Sequence, residues 1–96
     1  MNIKLIIPAR YHSTRFPGKP LVNLKGKSMI RRVWDRAKLG FNKKNIYIAT
    51  DSKKILNHCL EFTMNTILTS DKCLTGTDRV AECARKIDAD VFVNIQ

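Results

Sequence analysis

Several features are scarce in this chain, and each scarcity narrows what it can do. No apolar run approaches the ~20 residues that a membrane-spanning helix needs. Met1 to Ile7 is too short for a signal peptide, and Pro8-Ala9-Arg10 follows at once. The expectation is a cytoplasmic protein with no membrane partner. Cys59, Cys73 and Cys83 form no C-x-x-C pair, and His12 and His58 add no metal-ligand spacing to them. These cysteines read as reduced thiols, and a zinc site is disfavoured. Neither G-x-x-x-x-G-K-[ST] nor G-x-G-x-x-G occurs, which disfavours P-loop NTPases and dinucleotide-binding enzymes. Acids are also few, eight against 18 Lys and Arg, so the net charge is +10.

That charge is unevenly placed. Residues 10–44 hold eleven cations and a single acid, Asp35, while the remainder of the chain is balanced. An anionic partner, a nucleotide or a nucleic acid, is expected to meet the first half. Part of the basicity (Arg31, Arg32, Arg36, Lys38) fits the wet side of a helix.

The 96 residues suffice for one domain at most. Ile3 to Ile7 reads as a buried strand stopped by Pro8. Leu21 to Leu24 suggests a short extended piece turned at Lys25-Gly26. Ser28 is placed to cap a helix running to about Leu39, with Ile30, Val33, Trp34 and Ala37 inward and Gly40 as its C-terminal cap. Trp34 reads as core rather than as a base-stacking ring. Ile46 to Ala49 is a second strand, and Asp51-Ser52 starts a helix with Ile55, Leu56, Cys59 and Leu60 inward. Met64 to Leu68 is a third, weaker strand. Thr75 with Asp78 fits a capping pair for a helix whose inner face is Val80, Ala81, Ala84 and Ile87. Val91 to Ile95 is a fourth strand. Strands and helices in alternation predict an open, mostly parallel, Rossmann-like α/β sheet with helices on both faces. In such sheets ligands bind outside the carboxyl ends of the strands. The segments leaving those ends are the loop from Pro8, Asp51, residues 69–77 and Gln96, so the polar residues gather on one rim.

The loop is the most distinctive stretch: Pro8-Ala9-Arg10-Tyr11-His12-Ser13-Thr14-Arg15-Phe16-Pro17-Gly18-Lys19-Pro20. It has no helical or alternating period, and long polar loops hung from buried strands are often functional. Arginine forks, a lysine point charge and a glycine that admits close backbone approach all suit a polyphosphate. A plain solvated basic loop has the same composition. His12 reads as a loop residue, because no orienting carboxylate lies near it in sequence.

With its neighbours Ile6-Ile7 and Leu21, this loop resembles the opening of the 3-deoxy-manno-octulosonate (KDO) cytidylyltransferases, the CMP-KDO synthetases. Ala49-Thr50-Asp51 and Thr75-Gly76-Thr77-Asp78-Arg79-Val80-Ala81-Glu82 extend the resemblance over nearly the whole chain. Phe16 and Ser28 depart mildly from it, at positions where leucine and proline look commoner. The resemblance implies the nucleotide-diphospho-sugar transferase type of sheet, with residues 1–96 as the N-terminal, nucleotide-binding part of a truncated domain. It further implies transfer of CMP from CTP to KDO, with release of pyrophosphate, for lipopolysaccharide biosynthesis. It implies Mg2+ with ligands beyond Gln96, a homodimer at full length, and catalytic inactivity of the isolated stretch.

On that basis Arg10 and Lys19 are assigned to the triphosphate as the catalytic cations, with Arg15 in support. Ser13, Thr14 and the loop amides complete the cradle. Main chain at Pro8 and Ala9, with the Thr69-Ser70 region, is expected to read the cytosine. Gly76, Thr77 and Arg79 form a second nucleotide-contacting segment at a helix N-terminus, and Gln96 closes the rim. Simple alternatives stand beside these: helix capping for Thr75 and Thr77, and a surface pair with Glu82 for Arg79; Asp51 reads as a helix cap or a nucleotide-site residue. The competing functions are a sialic-acid-type cytidylyltransferase and a small basic nucleic-acid-binding module. The second lacks any RNP-like, KH or helix-turn-helix signature, and CTP and the sugar acid are the expected partners.

Overall fold

The computed structural model describes residues 3–11, 18–70, 76–87 and 91–94. Strand β1 (Ile3–Pro8) is apolar without alternation because both of its faces are covered: Leu5, Ile6 and Ile7 are all buried. A 3-10 turn over Lys19–Leu21 leads into a hairpin of β2 (Asn23–Leu24) and β3 (Lys27–Ser28). Its two turn residues, Lys25 (φ 54°) and Gly26 (φ 93°), are both left-handed. This is the two-residue geometry whose twist suits antiparallel strands.

Helix α1 (Met29–Ala37) starts as expected, with the Ser28 hydroxyl accepting the Arg31 N–H at 3.4 Å. It stops two residues short of Leu39. Gly40 is not left-handed; the N–H groups of Lys38 and Phe41 close the end onto the carbonyls of Trp34 and Ala37. Trp34 is core, at 5% exposure. Strand β4 (Ile46–Thr50) delivers α2 (Lys53–Glu61), whose cap is Ser52 rather than Asp51: the Ser52 hydroxyl accepts the Ile55 N–H at 3.3 Å. Ile55 and Cys59 are its buried residues, and Leu60 points outward. β5 (Thr66–Leu68) is the third strand, followed by α3 (Gly76–Lys86) and β6 (Val91–Asn94).

The expected inner face of α3 is rotated. Arg79 and Cys83 are buried, Val80 and Ile87 pack partly, and Ala81 and Ala84 face solvent. An apolar stripe read from alanines missed it, because the residue that occupies the deepest position is an arginine.

β1, β4, β5 and β6 form one parallel sheet in the order β5-β4-β1-β6, with Leu5 opposite Ile46 and Val93 across β1. Leu5, Ile7, Ile46 and Ile48 pack with α1 and α2 on one face, whereas Ile6 and Ala49 pack with Cys83 of α3 on the other. The chain thus walks outward from β1 over one face and returns to β1's far side over the other. That reversal places a topological switch point between β1 and β6, the usual ligand crevice of an open α/β sheet.

Candidate functional site

At the carboxyl end of β1 the chain opens a cleft of about 290 Å³, walled by Pro8, Ala9, Arg10, Pro20, Met29 and Val33. The first three are sequence-expected site residues, and the structure brings them together with Arg10 exposed. Met29 and Val33 were missed, since a residue on an amphipathic helix gives no sign of lining a cleft. Lys19 opens the 3-10 turn next to Pro20. Ser13, Thr14, Arg15 and Gln96, together with His12, Phe16, Cys73 and Thr75, lie outside the described residues.

The signature loop is pinched at its base. Gly18 N–H donates to the Tyr11 carbonyl at 2.6 Å. Gly18 has φ 76°, and a Cβ there would stand 3.1 Å from Tyr11 Cε2, so both conformation and space demand glycine. The Lys54 ammonium at the start of α2 lies 4.9 Å from the Tyr11 ring centre. The loop's two ends therefore meet beside that helix.

A second polar group occupies the same rim, on the α3 face. Arg79 is 1% exposed and donates from Nη1 to Thr69 Oγ1 at 2.5 Å; its Nη2 stands 3.9 Å from Asp51 Oδ2. Its Nε has no partner among the described residues. Arg79 is thus not a surface residue paired with Glu82. The Glu82 carboxylate instead accepts the Ser70 N–H, at 3.1 and 2.9 Å, and lies 3.2 Å from the Lys86 ammonium. Lys86 also donates to the Leu68 carbonyl at 2.7 Å. Gly76 and Thr77 form the first turn of α3.

Several main-chain donors of the rim are already committed inward. Ala9 N–H donates to Ala49 and Thr69 N–H to Thr50, both at 2.8 Å. Among the described residues no group of three or more His, Cys, Asp or Glu could hold a metal ion. Asp51 faces Arg79, and Glu82 is held by Ser70 and Lys86. These residues do not fit a magnesium site. Cys59 is fully buried and burial pushes its thiol up to about 11, which disfavours it as a nucleophile.

The cytidylyltransferase profile matches residues 5–96. The chain belongs to the cytidylyltransferase family. It is 48% identical over 93 residues to the mitochondrial 3-deoxy-manno-octulosonate cytidylyltransferase of Arabidopsis thaliana, covering 95% of this chain and 32% of that protein. It is 43% identical over 99 residues to the 8-amino-3,8-dideoxy-manno-octulosonate cytidylyltransferase of Shewanella pealeana, covering 100% of this chain and 40% of the relative. A solved structure of a CMP:2-keto-3-deoxy-manno-octonic acid synthetase complexed with CTP superposes with a TM-score of 0.91 at 36% identity, over 100% of this chain and 40% of that one. The chain therefore spans about a third to two-fifths of the length of these cytidylyltransferases. The open parallel sheet and the family expected from the loop both hold.

Proposed function

We propose that this chain is the CTP-binding part of an enzyme that transfers CMP from CTP to KDO. The observation that carries the reading is the likeness, across all of this chain, to a synthetase solved with CTP. The exposed Arg10, at a cleft beside the sheet's switch point, supplies the matching chemistry. In the reaction the sugar acid's anomeric oxygen attacks the α-phosphorus and loses its proton. The bond to the bridging oxygen breaks, and pyrophosphate leaves with the charge. Arg10 and Lys19 would hold the triphosphate and neutralise that growing charge, with Arg15, Ser13 and Thr14 in support and Gln96 at the rim. Main chain at Pro8 and Ala9, with Thr69-Ser70, would meet the cytosine edge, and Gly76, Thr77 and Arg79 would form the neighbouring wall.

Magnesium belongs to this proposal only through residues outside those described. Homodimerisation, a role in lipopolysaccharide synthesis and a cytoplasmic location belong to it as well. No helix among the described residues is long and apolar enough to cross a membrane. A second acceptor, the 8-amino analogue of KDO, is favoured by the name of the Shewanella relative. A sialic-acid acceptor and a nucleic-acid-binding role are not favoured by any of these comparisons.

The test is CTP-dependent pyrophosphate release by protein carrying these 96 residues, offered KDO, its 8-amino analogue or sialic acid in turn. Release with either octulosonate supports the reading. Selective turnover of sialic acid, or tight binding of oligonucleotides without CTP binding, overturns it.

A further inference from the structure

The last residue of β5 and the two that follow it are each held by a different side chain of α3. Lys86 takes the Leu68 carbonyl, Arg79 the Thr69 hydroxyl, and Glu82 the Ser70 N–H through both carboxylate oxygens. The connection leaves the edge strand of the sheet, and Arg79 is almost wholly buried to hold it. Burying a guanidinium is costly unless its partners are fixed. Arg79 joins the exits of two strands, Asp51 after β4 and Thr69 after β5.

The chemical consequence concerns donors and acceptors. The N–H groups of Ala9, Thr69 and Ser70 all donate inward. At these positions the main chain can offer a ligand only carbonyl oxygens, each with a second lone pair to accept with. A base presenting an exocyclic amino group suits such a rim. One presenting a carbonyl at the same place, as uracil does, would face acceptors with an acceptor.

We propose that Glu82 and Arg79 are positioning residues for nucleotide selection: they hold the Thr69-Ser70 main chain with its donor withdrawn, so that the rim accepts cytosine and rejects uracil. This rests on the reading that Thr69-Ser70 lies along the base. Neither side chain need touch the nucleotide. Glu82 acts by occupying a donor, and Arg79 by fixing where the following peptide sits.

The experiment compares CTP and UTP dissociation constants, by calorimetry, for the unmodified chain and for Glu82→Ala, Glu82→Gln and Arg79→Lys. The Ser70 amide resonance is followed in parallel by nuclear magnetic resonance. Glu82→Ala is expected to lower the CTP-over-UTP ratio at least fivefold and to shift the Ser70 amide upfield as its charged acceptor is lost. Glu82→Gln retains an accepting oxygen and should keep the ratio within about twofold; a fall in Glu82→Ala but not in Glu82→Gln separates loss of the acceptor from a merely stabilising role, which predicts no fall in either. Should Glu82→Ala fail to fold, Arg79→Lys carries the test, because it keeps the charge and loses the fork; the ratio should again fall. A ratio unchanged in every folded variant, with melting temperature alone affected, overturns the inference and leaves the proposed function standing. An unmodified chain that binds neither nucleotide overturns both.

Discussion

Cys59 and Asp35 illustrate how single side chains respond to opposite surroundings. The Cys59 thiol is buried between α2 and the sheet, and burial raises it from 9.0 to about 11. It should resist a thiol reagent at neutral pH until the chain unfolds, and a labelling time course in rising urea checks this. A raised pKa means that the unfolded state releases its proton first, so stability is intact below about pH 9 and is lost as pH rises through about 11. Asp35 runs the other way. The hydrogen bond from Lys27 at 2.6 Å lowers its pKa despite some desolvation, and Lys38 adds to the effect. Its contribution is present above the ordinary carboxylate range and fades as pH falls through the lowered value. With the carboxylate 38% exposed, solvent screening keeps this to about 1 kcal/mol or less. Arg10 is the proposed cation for the triphosphate. Arg10→Ala should weaken CTP binding by ~1.5–3 kcal/mol, the worth of a charged hydrogen bond, as titration calorimetry would read.

Among the elements, the loop base and the core strands make separate predictions. Gly18→Ala forces an L-residue into a left-handed conformation and drives a methyl against Tyr11. It should cost ~1–2 kcal/mol in thermal unfolding and also weaken CTP binding, since it opens the pinch that holds the loop. Ile48 is fully buried between Ile7 and the helices, and Ile48→Ala should cost ~2–5 kcal/mol without altering nucleotide preference.

The strands were legible because β-branched runs of four to six residues ended at Pro8 or Asp51, and the Ser28 cap was legible from its hydroxyl before a periodic stretch. The second cap was misplaced by one residue because Asp51 and Ser52 are both good caps, and only the demand of Arg79 separates them. The face of α3 was unreadable for a related reason. Pattern reading counts arginine as solvent-facing, whereas this one is drawn inward by partners 10 and 28 residues away in the chain. The hold of Glu82 on Ser70 and the walls given by Met29 and Val33 are likewise contacts between distant segments, which no local spacing encodes.

For the molecule as a whole, the uneven charge and the sheet's switch point tell the same story. Some of the first half's cations are occupied within the fold. Lys27 and Lys38 surround Asp35, and the Arg31 guanidinium lies 3.8 Å from the Phe62 ring centre. A positive helix surface of this kind would bind any polyanion weakly and with a steep salt dependence. A rim site for CTP should discriminate between nucleotides and respond less to salt. The most direct measurement is amide chemical-shift mapping of the chain at physiological salt, titrated with CTP, UTP and a short oligonucleotide. CTP shifts are expected to centre on Ala9, Arg10, Gly18 and Ser70, to exceed those with UTP and to persist as salt is raised. Shifts spread along the exposed side of α1, equal for all three ligands and abolished by salt, would contradict it.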